Sequence, residues 1–526
     1  MRLRSRVAAL LSLCSAISGA AAQEHAHPNA PAAEQLGAVH FPTSCAPGVA
    51  LAFDRAVALL HSFEFGAAIR AFSQVAAADS SCAMAHWGVA MSRWSNPLAP
   101  GVRAPAQLEP GLAAARAAAR PGGRATPRER AYIGAIGKLY DAYERVDQAT
   151  RVAAYERAMD DVARAYPSDT EAKIFHAVAL VASASPTDKT YARQLQAAEV
   201  LEALWKSQPN HPGLAHYIIH AYDYPPLAAR ARMAAQRYAQ IAPSAAHALH
   251  MPSHTFTRVG LWEESIATNR KSYEVALREG SIAEALHALD YATYAYLQLR
   301  RDSAARAVVD GLPALAARFD VRAVTGAAPG SAGVFALAAI PARYALERRE
   351  WEEAARLEPV RSDFPWTEAM VYFARALGGA HSGALDLARA ATDSLAEIHR
   401  RLSAAGEGYW AEQVAIEHLG AQAWLAHAER RDSAALHLMR EGAQREGATE
   451  KSAVTPGPLV PARELLGDLL LALGRPREAL AEYQAALASE PNRYLTLDGA
   501  RRAAGAAGDR ALEEGYAARL RALTGR

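Results

Sequence analysis

Five residues near the C-terminus restrict what this chain can fold into more than any other feature. With Val460 as position 1, Gly467, Ala479, Tyr483, Ala486 and Pro491 fall at positions 8, 20, 24, 27 and 32. Small residues at 8, 20 and 27 let two helices cross closely. The aromatic at 24 fills the seam to the next pair, and the proline ends the second helix. The Leu473-Gly474-Arg475-Pro476 turn separates the two helices. A hairpin of this kind cannot bury its apolar face alone, so neighbours must stack on it. Composition agrees with helices throughout: alanine dominates the apolar residues, and aromatics make up only 7%, which disfavours strands. At 526 residues and 51% hydrophobic, the chain is too long for one compact core and too apolar for disorder.

Weaker copies of the pattern precede this one. Val259-Gly260-Leu261-Trp262 leads to Ser265 and Ser272 at positions 20 and 27. Arg300-Arg301-Asp302 leads to Ala305, Arg349-Glu350-Trp351 to Ala354, Arg430-Arg431-Asp432 to Ala435, and Phe63-Glu64-Phe65-Gly66 to Ala68. This is the tetratricopeptide spacing. It predicts an all-α, right-handed superhelix of helical hairpins whose first helices line a concave groove. Two stretches interrupt it. Residues 96–126, rich in Pro, Gly, Ala and Arg, read as a long connection, and residues 325–333 as a hinge. The expected layout is a leader over 1–22, an N-terminal arm over 23–47, a histidine-rich solenoid over 48–324 and a second solenoid over 325–526.

The leader has the layout of an export signal. Arg2, Arg4 and Arg6 precede a short apolar stretch, Val7 to Ile17, and Ala20-Ala21-Ala22 fits a small-x-small cleavage site before Gln23. Leu13 stands before Cys14 where a lipoprotein needs a small residue. Export removes three arginines from a formal charge of +2, leaving about −1, and no basic block suggests nucleic acid as partner. No later run of about 18 apolar residues would span a bilayer. The expectation is a periplasmic or secreted protein. In an oxidising compartment the two remaining cysteines, Cys45 and Cys82, most often pair; the alternative is two buried thiols.

The histidines do something the repeat does not require. Of 18 in the chain, six fall between His211 and His254. With Pro243 as a position-32 proline, one repeat starts at Pro212, and His216, His220 and Asp223 take positions 5, 9 and 12. The next starts at Ala246, with His247, His250 and His254 at 2, 5 and 9. His216 therefore aligns with His250, and His220 with His254. Setting Ala305 at position 20 puts His287, Asp290 and Tyr294 at 2, 5 and 9 of the following repeat. His176 joins this wall only if its repeat slips by two residues.

Spacings of 3, 4 and 7 share one helix face, and neighbouring first helices pack about 8–10 Å apart. Imidazole suits copper, zinc, iron and nickel, and an i, i+4 histidine pair can chelate from one helix. The register therefore predicts His216, His220, His250 and His254 around one transition-metal ion. Asp223, His247, His287, Asp290, Tyr294 or His176 would complete or orient the set. Pro252, inside a first helix, removes one backbone bond and leaves a carbonyl near Ala248 in need of a partner. The competing reading is a metal-free polar groove that binds a peptide, a protein or a small molecule. Glu464 and Asp468, at positions 5 and 9 of the last repeat, could hold a basic ligand group or form a solvated face. Tyr409-Trp410 resembles a stacking patch but reads equally as core. His25 and His27 could bind copper or nickel loosely, although a flexible tail is the plainer reading. The signatures HExxH, GxSxG, GxxxxGK[ST] and GxGxxG are absent, and no reaction is implied.

The segments HFPTSC (40–45), CAMAHWGVAMS (82–92), HYIIHAYDYP (216–225), HALHMPSHTFTRVGLWEESIATN (247–269), DYATYAYLQL (290–299) and TPGPLVPARELLGDLLL (455–471) resemble those of a bacterial family of secreted tetratricopeptide-repeat proteins. The resemblance spans nearly the whole exported chain. It implies the helical fold and export, and it supplies no reaction.

Overall fold

A computed structural model describes residues 34–99 and 101–525. The leader, Cys14, Gln23, His25 and His27 lie outside the described residues. Within them the chain is all-α: helix follows helix from Ala50–His61 to Arg510–Thr524, and no strand forms. The helices pair as hairpins, among them Pro212–Ala221 with Arg232–Ile241, Ile282–Gln298 with Asp302–Ala316, and Ala462–Ala472 with Pro476–Ser489.

The turns inside the hairpins explain why such different sequences work alike. Each contains one residue in the left-handed region: Phe63, Gly260, Arg300, Arg349, Arg430 and Gly474 have φ between 55° and 69°. The next amide then donates back five residues, as from Leu261 to Phe256 at 2.8 Å and from Arg475 to Leu470 at 2.9 Å. This closes the helix and satisfies a terminal carbonyl. The position-20 residues Ala68, Ser265, Ala305, Ala354, Ala435 and Ala479 are all fully buried. A Cβ on Gly467 would stand 2.7 Å from the Tyr483 ring, so only glycine admits that crossing.

Two expected breaks are built differently. Residues 96–126 contain a helix, Pro105–Ala118, because Pro105 suits a first helical position and the Ala-rich run outweighs Pro110 inside it. Residues 325–333 are packed in rather than free. The Thr325 carbonyl accepts from the Gly66 amide at 2.7 Å, the Ala328 amide donates to Glu284 at 2.8 Å, and Ala327 is buried.

The N-terminal arm is held by side chains. Phe41 sits among Phe53, Trp87 and Tyr132 at ring distances of 5.4–5.6 Å. Ser44 donates from its amide and hydroxyl to Glu129. Cys45 is bonded to Cys82 across 37 residues. No helix among the described residues is long and apolar enough to cross a membrane.

Candidate metal centre

Three elements deliver the histidines. Pro212–Ala221 carries His216 and His220 one turn apart. The next first helix is split by Pro252 into Ala246–His250 and Pro252–Arg258; it carries His247, His250 and His254. Ile282–Gln298 carries His287. The carbonyls around the break find hydroxyls on the helix Trp262–Arg278: Ser272 donates to Ala246 at 2.8 Å, and Thr268 donates to Leu249. Two side chains of that helix thus cap carbonyls on either side of Ala248.

These side chains do not line an open groove. His216 and His250 are 0% exposed, and the other four are at most 5% exposed. Nor do the four aligned histidines gather at one point. Close distances sort them into His216, His220 and His247 on one side and His250, His254 and His287 on the other. In each set, position 2 of one repeat meets positions 5 and 9 of the repeat before it. His247 and His287, expected as support, therefore stand as members.

The outer nitrogens of four rings are fixed by acceptors. His216 Nδ1 lies 2.6 Å from the His61 carbonyl. His247 Nδ1 lies 3.1 Å from Glu284, and His254 Nδ1 lies 2.8 Å from Asp223. His250 Nδ1 lies 2.7 Å from Asn269 Oδ1, whose amide orientation is set by donation to the Ser265 carbonyl at 2.7 Å. Carbonyls and carboxylates only accept, so each Nδ1 carries the hydrogen and each Nε2 is left with a bare lone pair.

Those lone pairs point at one another. His216 and His247 approach Nε2 to Nε2 at 3.2 Å, and His250 and His254 at 3.1 Å; His220 Nε2 is 3.1 Å from His216 Nε2. Two bare nitrogens cannot hydrogen-bond. Protonation is the costly remedy: burial pushes His216, His220 and His250 well below the usual histidine range, lowers His254, and takes His287 down to about 3. Two nitrogens each about 2.0–2.1 Å from a tetrahedral ion would lie about 3.3 Å apart, close to the spacing found.

The surroundings are chosen residue by residue. Asp223, just past its helix, also accepts from Arg258 at 2.9 Å and Lys451 at 3.3 Å. Burial alone would raise its carboxyl, but Lys451, Arg258 and His254 hold it well below the usual range. Phe63 packs its ring on His216 at 4.4 Å, and Tyr291 packs on His250 and His254 at 4.8 and 5.0 Å. A cavity of about 10 Å³, lined by His220, His247, His254, His287 and Asn96 among others, has room for about one water molecule.

A third buried group gives a contrast. Glu171 stands between His61 and His211, 2.8 and 2.9 Å from their Nε2 atoms. There a carboxylate answers the imidazoles, so hydrogen bonds suffice.

Three expected supporters lie elsewhere. His176 faces Glu156 at 3.3 Å. Asp290, pushed up to about 6 by burial despite Arg343, stands 3.5 Å from that arginine. The Tyr294 hydroxyl bonds Glu490 at 3.0 Å and Arg493 at 3.2 Å. Positions 5 and 9 of this repeat have rotated past the histidines onto an arginine–glutamate network. Glu464 belongs to it, held by Arg493 at 2.7 Å, and Asp468 accepts from Arg349, Arg502 and Tyr483. Both are therefore occupied from within the chain. Trp410 stacks on Trp366 at 3.9 Å, and both line a cleft of about 500 Å³ with Arg258, Lys451 and Glu417.

Sequence reasoning missed Glu284, Asn269, Tyr291 and the His61–Glu64 turn. Glu284 had a signal, since it sits three residues before His287 in one helix. The contribution of the His61–Glu64 turn had none, because it comes from a backbone carbonyl and from sequence-distant packing.

Fold and repeat together define an all-α helical-repeat protein with tetratricopeptide-like spacing. No family profile matches the chain, and no curated protein matches it significantly. Solved structures of similar outline include a human IFIT1 dimer with m7Gppp-AAAA, 11% identical over 84% of this chain and 90% of that one, TM-score 0.38. Yeast Tom70 is 10% identical over 87% and 88%, TM-score 0.28. The APC/C hetero-tetramer Cut9–Hcn1 is 12% identical over 90% and 93%, TM-score 0.27. At these scores the likeness carries no argument about ligand or function.

Proposed function

We propose that this chain is an exported helical-repeat metalloprotein whose interior binds a first-row transition metal through histidine. The observation that supports it most is the set of four Nδ1 atoms committed to acceptors while their Nε2 lone pairs face one another at 3.1–3.2 Å. An all-imidazole donor set suits copper, zinc or iron and not the oxygen-seeking magnesium or calcium. The leader and the Cys45–Cys82 bond fit a periplasmic or secreted location.

A metal-free scaffold for a peptide or protein partner is the second reading. The cleft beside Trp366 and Trp410 favours a ligand there, and the two readings are compatible. The test is metal analysis of exported, dialysed protein, with melting temperature measured with and without added metal. Copper, zinc or iron at micromolar affinity should raise the melting temperature. His220→Ala with His254→Ala should abolish the rise while the helix content stays. A wild-type protein that binds none of these metals ends the proposal.

A further inference from the structure

The geometry points to two metal ions, one in each histidine triad, paired across a shared cavity that takes a small bridging oxygen ligand such as hydroxide. This rests on the metal-binding reading above and deepens it. Six imidazole nitrogens around one ion would form a single close group. The donors here separate instead into two sets of three, each set lying within 4.8 Å. Each set holds at least one Nε2–Nε2 edge of 3.1 or 3.2 Å, the span expected across a single ion.

Three protein nitrogens leave a four-coordinate ion one open position, which is the arrangement of reactive rather than structural sites. The two triads border one small cavity. The cavity is lined by His220 and His247 from one triad and by His254 and His287 from the other. Rings from opposite triads are neighbours, with His220–His254 and His247–His250 centroids both 5.8 Å apart. At about 10 Å³ the space admits one small ligand and no organic group. A carboxylate also orients one ring on each side: Glu284 behind His247 and Asp223, shared with Arg258 and Lys451, behind His254.

The test is copper(II) titration of the full chain carrying His25→Ala and His27→Ala, which silences the terminal tail. Bound copper and spin intensity are then measured together. Two coppers per chain are expected. Because a bridged pair couples magnetically, spin intensity per copper should fall well below that of an isolated ion. His220→Ala and, separately, His287→Ala should each reduce binding from two to one and restore full intensity to the remaining ion. Helix content checks that both variants fold, and His220→Gln with His287→Gln serve as smaller perturbations if either does not. One copper in the wild-type chain overturns the pairing and leaves the metal-binding reading intact. Two coppers with full, independent spins also overturn it. A chain that binds no copper overturns the pairing, and one that binds no copper, zinc or iron overturns the metal-binding reading as well.

Discussion

Asn269 fixes the tautomer of His250. Its Oδ1 accepts from His250 Nδ1 at 2.7 Å because its own amide nitrogen is committed to the Ser265 carbonyl. Hydrogen bonds of this kind orient a ligating imidazole and typically account for about 10–100-fold in metal affinity. Asn269→Leu should therefore weaken metal binding by about that factor in chelator competition. Asn269→Asp, which keeps an acceptor there, should not. Equal losses in both variants would remove the tautomer argument.

The metal-free protein should lose stability in acid. His216, His220, His250, His254 and His287 all have folded-state pKa values below the unfolded value near 6.5. The unfolded chain thus binds more protons below that pH, so stability falls as pH drops from about 6.5 toward 3. Each histidine that stays neutral contributes about 1.4 kcal/mol per pH unit. Denaturant unfolding between pH 7.5 and 5 checks this. Added metal should hold the plateau to lower pH, since ions compete with protons for the same nitrogens.

The disulfide should matter for the fold's resistance to unfolding and little for the histidines. Cys45 and Cys82 close a loop of 37 residues, for which chain entropy gives roughly 3–4 kcal/mol. Cys45→Ser with Cys82→Ser should lower the denaturant midpoint accordingly. Metal stoichiometry should stay unchanged, because the arm is also held by Phe41 and Ser44.

Arg493 is the most consequential charge away from the histidines. It is fully buried between Glu347 and Glu464, at 2.5 and 2.7 Å. Arg493→Met leaves two buried carboxylates without their cation and should cost about 3–5 kcal/mol. Calorimetry reads this directly. A neutral result would mean that the glutamates take up protons at little cost.

Much of the fold was legible in the sequence because the repeat rules are local. Position-20 alanines, the left-handed turn residues and Tyr483 against Gly467 act within one hairpin. The alignment of His216 with His250 and of His220 with His254 was legible for the same reason. The division into triads was not. It depends on rotation between successive repeats, which carried His247 and His287 inward and sent Asp290 and Tyr294 to Arg343 and Arg493. Burial was also hidden. Residues 325–333 and the Lys451 region pack against the histidine wall from far away in sequence, and no periodicity reports that. The His61 carbonyl is a backbone group, which residue identity cannot advertise.

The deep burial of the six histidines also bears on time. Helices, the Phe63 turn and the segment around Ala327 stand between those nitrogens and solvent. An ion seated there could leave only when several hydrogen-bonded elements open together, an event set by local unfolding rather than by diffusion. Uptake and release by the folded chain would then be slow, and titrations need equilibration times set by that opening. A bound ion would therefore stay far longer than at an exposed site of equal affinity, and its residence time would follow the stability of the surrounding helices.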